Sequence, residues 1–83
     1  MNFNKIDDAV LALLYLGHWR EGPHELARSW KTLDWDAMAR LYEKDLISDP
    51  ARKAKSVALS EDGLRKAQAA FEKLFGSDTF GED

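Results

Sequence analysis

The chain has 83 residues, of which 45% are hydrophobic and 33% are charged, and its formal net charge at pH 7 is −3. This length supports one domain with one hydrophobic core, and the composition is that of a folded protein rather than a disordered one. The lack of cysteine excludes disulfides, thiolate catalysis and sulfur-ligated metal sites, and the negative charge provides no general attraction for nucleic acids or anionic membranes.

The first predicted element is a helix from Ile6 to about Trp19. Apolar residues recur at positions 6, 10, 13, 14 and 17, with further apolar residues at 9 and 16, which is helical spacing. Asn4 is the expected N-cap, and Asp7 and Asp8 are expected in the first turn, where free backbone amides favour negative charge. The apolar run is about half a membrane span, and acidic rather than basic residues precede it, so we expect a cytoplasmic protein.

A second, shorter helix is predicted to begin at Pro23 and to run to about Lys31. Proline suits the first helical position because its backbone angle is already helical and its missing amide hydrogen would have no partner there. The positions expected to face the core are Leu26, Ala27 and Trp30.

A third helix is predicted after Asp34, its expected N-cap, and it closes near Leu46 and Ile47. The residues at helical spacing within it are Met38, Leu41 and Tyr42. Two short helices joined by only a few residues, the second apolar on one side, are typical of a helix-turn-helix.

A small β-hairpin and a final helix complete the chain. Residues 46–49 are expected to pair with residues 55–59, where apolar and small or polar residues alternate. Ser60 is the predicted N-cap of a helix that ends at Gly76. The residues that repeat at helical spacing within it are Leu64, Ala67, Gln68, Phe71, Leu74 and Phe75, and the last three of these are expected in the core. The predicted fold is mainly α with a small β-hairpin, a winged helix-turn-helix in the order helix-helix-helix-strand-strand-helix over residues 1–76, with a flexible acidic tail over 77–83.

The wing region resembles two types of transcriptional regulator. In this chain Leu46-Ile47 is followed by a basic loop and then by Val57-Ala58-Leu59-Ser60-Glu61-Asp62-Gly63. The segment is similar to a pattern found in multiple-antibiotic-resistance and phenolic-acid regulators. Ser60 stands where those proteins carry threonine, and either hydroxyl can cap a helix. Asp45 stands where they often carry glycine, the residue that a tight turn favours.

The chain outside its tail is also similar to a family of small bacterial proteins of unknown function. The matching segments are Ile6–Leu16, Asp34–Asp36, Leu46–Pro50 and Lys53–Val57. This resemblance implies no activity. Some winged helices bind DNA, whereas others bind proteins. Both DNA binding and protein binding therefore stay open for this chain.

The charge of the predicted third helix bears on this choice, because that helix would enter the DNA major groove. Residues 34–46 carry four acids and two bases, a net charge of −2, whereas residues 49–59 carry one acid and three bases. Tight DNA binding takes roughly 6 to 10 phosphate contacts. The candidates for these contacts are Arg28, Lys31, Arg40, Lys44, Arg52, Lys53 and Lys55. Alternatively, the wing lysines only discourage edge-to-edge pairing of the hairpin.

Catalytic and metal-binding motifs in the sequence are incomplete. His24-Glu25 begins like a zinc-protease motif, but Arg28 occupies the position of the second histidine. His18 and His24 are the only histidines, and the glycines are scattered rather than grouped in a phosphate-binding loop. We therefore expect a protein that is not an enzyme, with no metal and no cofactor.

The three tryptophans each lie near a predicted helix end. The favoured interpretation is that Trp19, Trp30 and Trp35 close the core where the first three helices meet. In the alternative interpretation, Trp35 is an exposed anchor for a partner protein, and the neighbouring acids favour a basic partner.

We predict a binding module that docks on another protein or on itself. Its candidate interaction residues are Trp35, Asp36, Ala39, Arg40 and Glu43. The alternative hypothesis is a DNA-binding regulator that dimerises through its terminal helices and contacts DNA mainly through Arg52, Lys53 and Lys55.

Overall fold

A computed structural model describes residues 1–31 and 34–76 of the protein. In chain order they form α1 (Phe3–Leu16), β1 (Arg28–Trp30), α2 (Trp35–Glu43), β2 (Ser56–Ala58) and α3 (Glu61–Phe75). The predicted class, a mainly helical domain with a small antiparallel sheet, is confirmed, and this order is compatible with a winged helix. The acidic tail predicted over residues 77–83 lies outside the described residues.

The start of α1 lies earlier than predicted. Asn2 is its N-cap, and the Asn2 side chain accepts a hydrogen bond from the backbone amide of Lys5 at 3.1 Å. The predicted cap at Asn4 is therefore wrong, because a second asparagine upstream caps the helix instead. Asp7 and Asp8 consequently lie in the second turn rather than the first, beyond the free amides at the helix start.

The helix predicted from Pro23 to Lys31 is wrong. Residues 28–30 instead form β1, in which Ser29 turns inward and its hydroxyl donates a hydrogen bond to the carbonyl of Leu14 at 2.8 Å. A helix of nine residues has little stability without packing, whereas the strand pairs along its whole length with β2. The antiparallel register joins Arg28 to Ala58, Ser29 to Val57 and Trp30 to Ser56. Without that helix, the expected pair of tightly joined helices does not form within the described residues.

The predicted hairpin is present in a reduced form. Ile47 makes an isolated antiparallel bridge with Leu59, and the amide of Ser48 donates to the carbonyl of Ala58 at 2.9 Å. β2 therefore lies between β1 on one side and the segment that leaves α2 on the other. The loop between Ile47 and β2, residues 49–55, is called the wing below.

The core lies between the three helices and the inner face of the sheet. The largest fully buried side chains are Leu14, Met38, Leu41, Val57 and Leu59. Ala27 is buried as predicted, at 1% exposure, but Leu26 is 48% exposed because the predicted helix that would have turned it inward does not form.

Several apolar residues predicted to face the core are exposed. Leu13 and Leu16 of α1 are 52% and 66% exposed, and Leu74 and Phe75 of α3 are 43% and 46% exposed. The apolar stripe of α1 is wider than the arc that α2 and α3 can cover, while Leu74 and Phe75 fall in the last turn of α3. These side chains leave apolar surface on both terminal helices.

α2 ends sooner than predicted because Asp45 redirects the chain. Asp34 is the N-cap of α2 as expected, and its side chain accepts from the amide of Ala37 at 3.1 Å. The helix stops at Glu43, and Asp45, with φ of 62°, is the only described non-glycine residue in the left-handed region. The tight turn thus forms with aspartate where the related pattern often has glycine.

Gly63 allows the start of α3 to pack against this turn. Ser60 caps α3 as predicted, and its hydroxyl oxygen accepts from the amide of Gly63 at 2.9 Å. A Cβ atom on Gly63 would overlap the backbone carbonyl of Leu46. Close packing, rather than an unusual backbone angle, therefore requires glycine in the junction between the wing and the last helix.

We predict that Gly63→Ala lowers the free energy of unfolding by about 2 to 3 kcal/mol, because the added methyl group must displace backbone. Gly17→Ala is the matched control, since its Cβ would find no atom nearer than 3.8 Å, and it should change stability by less than about 1 kcal/mol. Urea unfolding measures both values. Equal stability of the two variants would contradict the packing described for Gly63.

We predict that Asp45→Gly raises the free energy of unfolding by about 0.5 to 1 kcal/mol, because glycine adopts a positive φ without steric strain. Asp45→Ala should lower it, since alanine gains no local hydrogen bonds in that conformation. Thermal unfolding of the two variants beside the wild type tests the order. A more stable alanine variant would show that the turn does not hold its left-handed angle in solution.

Candidate interaction surfaces

A buried carboxylate holds α2 against α1. Arg40 donates from Nε to both carboxylate oxygens of Asp7 at 3.0 Å and from Nη2 to Oδ1 at 2.8 Å. The Asp7 side chain is 4% exposed and that of Arg40 is 27% exposed. The hydrogen bond to Asp7 raises the pKa of Arg40 above its ordinary value, and the negative charges of Asp7, Asp34 and Asp36 raise it further against the opposing effect of burial. This charge-assisted pair is geometrically specific because the guanidinium binds two oxygens at once.

Lys44 and Phe3 complete the surroundings of this pair. The Nζ atom of Lys44 lies 3.5 Å from Oδ2 of Asp7, and the Phe3 ring centroid lies 4.6 Å from Cζ of Arg40. Arg40 and Lys44, the two basic residues of the helix that would enter the DNA groove, therefore both contact the carboxylate of Asp7. The sequence contains no local signal for this contact, because Asp7 and Arg40 are 33 residues apart.

The side of α2 that faces away from the core is exposed and carries acidic and aromatic side chains. Met38 and Leu41 face the core, whereas Trp35 is 56% and Tyr42 is 44% exposed on the outside. The residues of this outer surface, called the α2 face, are Trp35, Asp36, Ala39, Tyr42 and Glu43. Asp36 and Glu43 form no ion pair within residues 1–31 and 34–76.

Four of the five predicted interaction residues share this surface. Arg40 does not, because its guanidinium is directed to Asp7 at the border with α1. Tyr42, predicted to lie on the apolar side of the helix, is instead 44% exposed on the α2 face. The sequence does contain a signal for this position. Residues 35, 39 and 42 are spaced by four and three, which places them on the same side of a helix.

The seven candidate phosphate contacts fall into two groups. Arg40 and Lys44 lie at Asp7, and the other five lie on β1, directly after it or in the wing. The wing residues Arg52, Lys53 and Lys55 are exposed and make no ion pair in the described part of the chain.

The prediction that all three tryptophans close the core is wrong. Trp30 is 60% exposed and Trp35 is 56% exposed. Trp19 is half-buried, its ring centroid lies 4.9 Å from that of Trp30, and its Nε1 donates to Glu21 at 3.1 Å. Trp30 points outward because it alternates with the inward Ser29 along β1.

Within residues 1–31 and 34–76, no group of three or more histidine, aspartate or glutamate side chains is placed to hold a metal ion. No helix in the same residues is long and apolar enough to cross a membrane.

Comparison with known proteins identifies relatives whose role is not assigned. The model of a family described as a domain of unknown function, DUF6429, matches residues 2–77. The uncharacterized protein y4hR of Sinorhizobium fredii (strain NBRC 101917 / NGR234) is 46% identical over 72 residues, which cover 87% of this chain and 90% of that protein. No solved structure matches the chain.

We predict that Asp7→Asn lowers the free energy of unfolding by about 2 kcal/mol, because it leaves Arg40 and Lys44 without their shared carboxylate. Breaking a deeply buried pair costs about 3 to 5 kcal/mol, and solvent access to the partner side chains reduces that figure here. Asp8→Asn is the matched control, since it removes the same charge one residue later from a side chain without an ion pair in the described residues. Urea unfolding should separate the two variants, and equal losses would contradict the special role of Asp7.

Proposed function

The chain belongs to the DUF6429 family of domains of unknown function, and we propose that it is a non-enzymatic, cytoplasmic winged-helix module that binds a basic partner protein through the α2 face. The observation that carries this proposal is the composition of that face. It combines exposed aromatic rings with carboxylates that make no ion pair in the described residues, while the basic residues of the same helix are engaged by Asp7.

The aromatic residues supply the anchoring part of the surface. Tryptophan, tyrosine and arginine are enriched among the few residues that contribute most of the binding energy at protein interfaces, because their large side chains fill pockets in the partner. Trp35 and Tyr42 lie two helical turns apart on the same side of α2, with the small side chain of Ala39 between them. A groove or flat surface on a partner can therefore meet both rings.

The acidic residues select the charge of the partner. Asp36 and Glu43 lie beside the two rings, and Asp34 adds a further exposed carboxylate at the start of the helix. Complementary charges accelerate association and exclude partners of the wrong sign. The same carboxylates repel phosphate, which disfavours insertion of α2 into a DNA groove.

The wing supports a second candidate, a DNA-binding regulator that acts as a dimer. Arg52, Lys53 and Lys55 are free to contact a phosphate backbone, and two copies would double the number of such contacts. The terminal helices α1 and α3 offer exposed apolar side chains for dimerisation. They are Leu13, Leu16, Leu74 and Phe75.

We predict that Trp35→Ala reduces partner capture from a cell lysate at least 10-fold, because it removes the larger anchor while leaving the core intact. Asp36→Lys should also reduce capture by reversing one charge of the face. Leu26→Ala is the matched control, since Leu26 is a large exposed apolar residue outside the α2 face. The unfolding temperature of each variant shows whether a loss of capture comes from misfolding.

Wild-type capture by Trp35→Ala would contradict docking through the α2 face. Titration of labelled protein with random duplex DNA at about 50 mM and about 200 mM salt tests the second candidate. Amide shifts in the wing and α2 that disappear at the higher salt concentration would favour the DNA regulator. Unchanged amide shifts at both concentrations would favour the protein-binding module.

A further inference from the structure

The outer face of the sheet carries a second exposed aromatic surface. Ser29 and Val57 turn inward, at 2% and 0% exposure, so their neighbours along β1 and β2 turn outward. On that outer side Arg28 donates from Nε to the hydroxyl of Ser56 at 3.0 Å. We call this surface the tryptophan face and define it as Trp19, Arg28, Trp30 and Ser56.

The two indoles of this face form a paired aromatic platform. Their ring centroids are 4.9 Å apart and their planes are inclined by 43°. Nε1 of Trp19 donates to the carboxylate of Glu21 at 3.1 Å, and Trp30 keeps 60% of its surface in solvent. A large aromatic side chain exposed on a regular strand presents a flat apolar surface without the ordering cost of a flexible loop.

Positive charge is concentrated beside this platform. Residues 28–30 and 49–58 together contain four basic residues and one acid, a net charge of +3 in a chain whose total is −3. Lys31 is not among them, because its Nζ atom lies 5.7 Å from the ring centroid of Trp35. The backbone amide of Lys31 donates to the carbonyl of Lys55 at 3.1 Å, and Trp30 is paired with Ser56. The backbone of Lys55, at the end of the wing, therefore lies one position from the pair of Trp30 and Ser56.

We propose that the tryptophan face and the wing bind single-stranded nucleic acid. Unpaired bases stack on Trp30 and Trp19, and the exposed side chains of Arg52, Lys53 and Lys55 contact the phosphates that join them. This site goes beyond the protein docking proposed for the α2 face, because it uses other side chains and attracts a ligand of the opposite charge.

The combination of rings and cations favours this ligand over others. Bases within a duplex are stacked on their neighbours, so their faces are closed to Trp30, whereas every unpaired base has a free π-face. A proline-rich peptide would pack on the rings but would leave the basic wing without a counter-charge. An anionic membrane surface would attract the same cations and indoles, and it is a separate arm of the test below.

The test measures binding of fluorescently labelled oligothymidine and oligouridine by anisotropy at low salt. Trp30→Ala is expected to weaken binding about 5- to 150-fold, the range for losing one stacked base, and Trp30→Phe is expected to retain most of the affinity. Lys53→Ala should reduce the dependence of log affinity on log salt concentration by about 0.7. Tyr42→Ala is the matched control, since it removes an exposed ring from the α2 face and should leave binding unchanged.

Several outcomes would overturn the proposal. They are no binding of either oligonucleotide at low salt, tighter binding of duplex DNA, equal affinity of Trp30→Ala and Tyr42→Ala, or binding to phosphatidylglycerol vesicles in place of oligonucleotides. Amide spectra of Trp30→Ala identify any loss of folding. Trp30→Ala should capture the protein partner as well as the wild type does. Loss of oligonucleotide binding is therefore tested by Trp30→Ala, and loss of protein docking is tested by Trp35→Ala.

Discussion

The pairing of Asp7 with Arg40 determines which charged side chains of α2 remain exposed. A carboxylate buried in the second turn of α1 is stabilised only if a donor set of opposite charge reaches it, and α2 provides both Arg40 and Lys44. That requirement acts together with the burial of Met38 and Leu41 to set the rotation of α2 about its own axis. The two basic residues are drawn to α1, and the remaining charge on the exposed side of the helix is acidic.

The sheet produces a second surface with the opposite character. β1 turns Ser29 inward to the end of α1 and turns Arg28 and Trp30 outward, while the wing places its basic residues at the adjoining end of β2. One small domain thus carries an acidic aromatic surface on α2 and a basic aromatic surface on the sheet. We propose a basic protein as the ligand of the first surface and a single-stranded polyanion as the ligand of the second.

Elements that rest on local chemistry were predictable from the chain. Asp34 and Ser60 cap α2 and α3 because a short oxygen-bearing side chain can accept from an amide three residues later, and the alternation around Val57 marks a half-buried strand. The segment from Pro23 to Lys31 could not be assigned in this way. Its few apolar residues fit a short helix or a strand, and the choice rests on pairing with β2, which begins 26 residues after Trp30.

Residues close together in the chain were sufficient to predict one mainly helical domain, the caps of α2 and α3 and the acidic sign of α2. The predicted hairpin formed only as a bridge between Ile47 and Leu59. Which side chains stay exposed and unpaired follows instead from how the described elements pack. The exposure of Trp30 and Trp35, the place of Tyr42 on the α2 face and the engagement of Arg40 depend on contacts between distant segments. Burial and charge pairing are properties of the packed chain, and the periodicity of one helix or strand does not contain them.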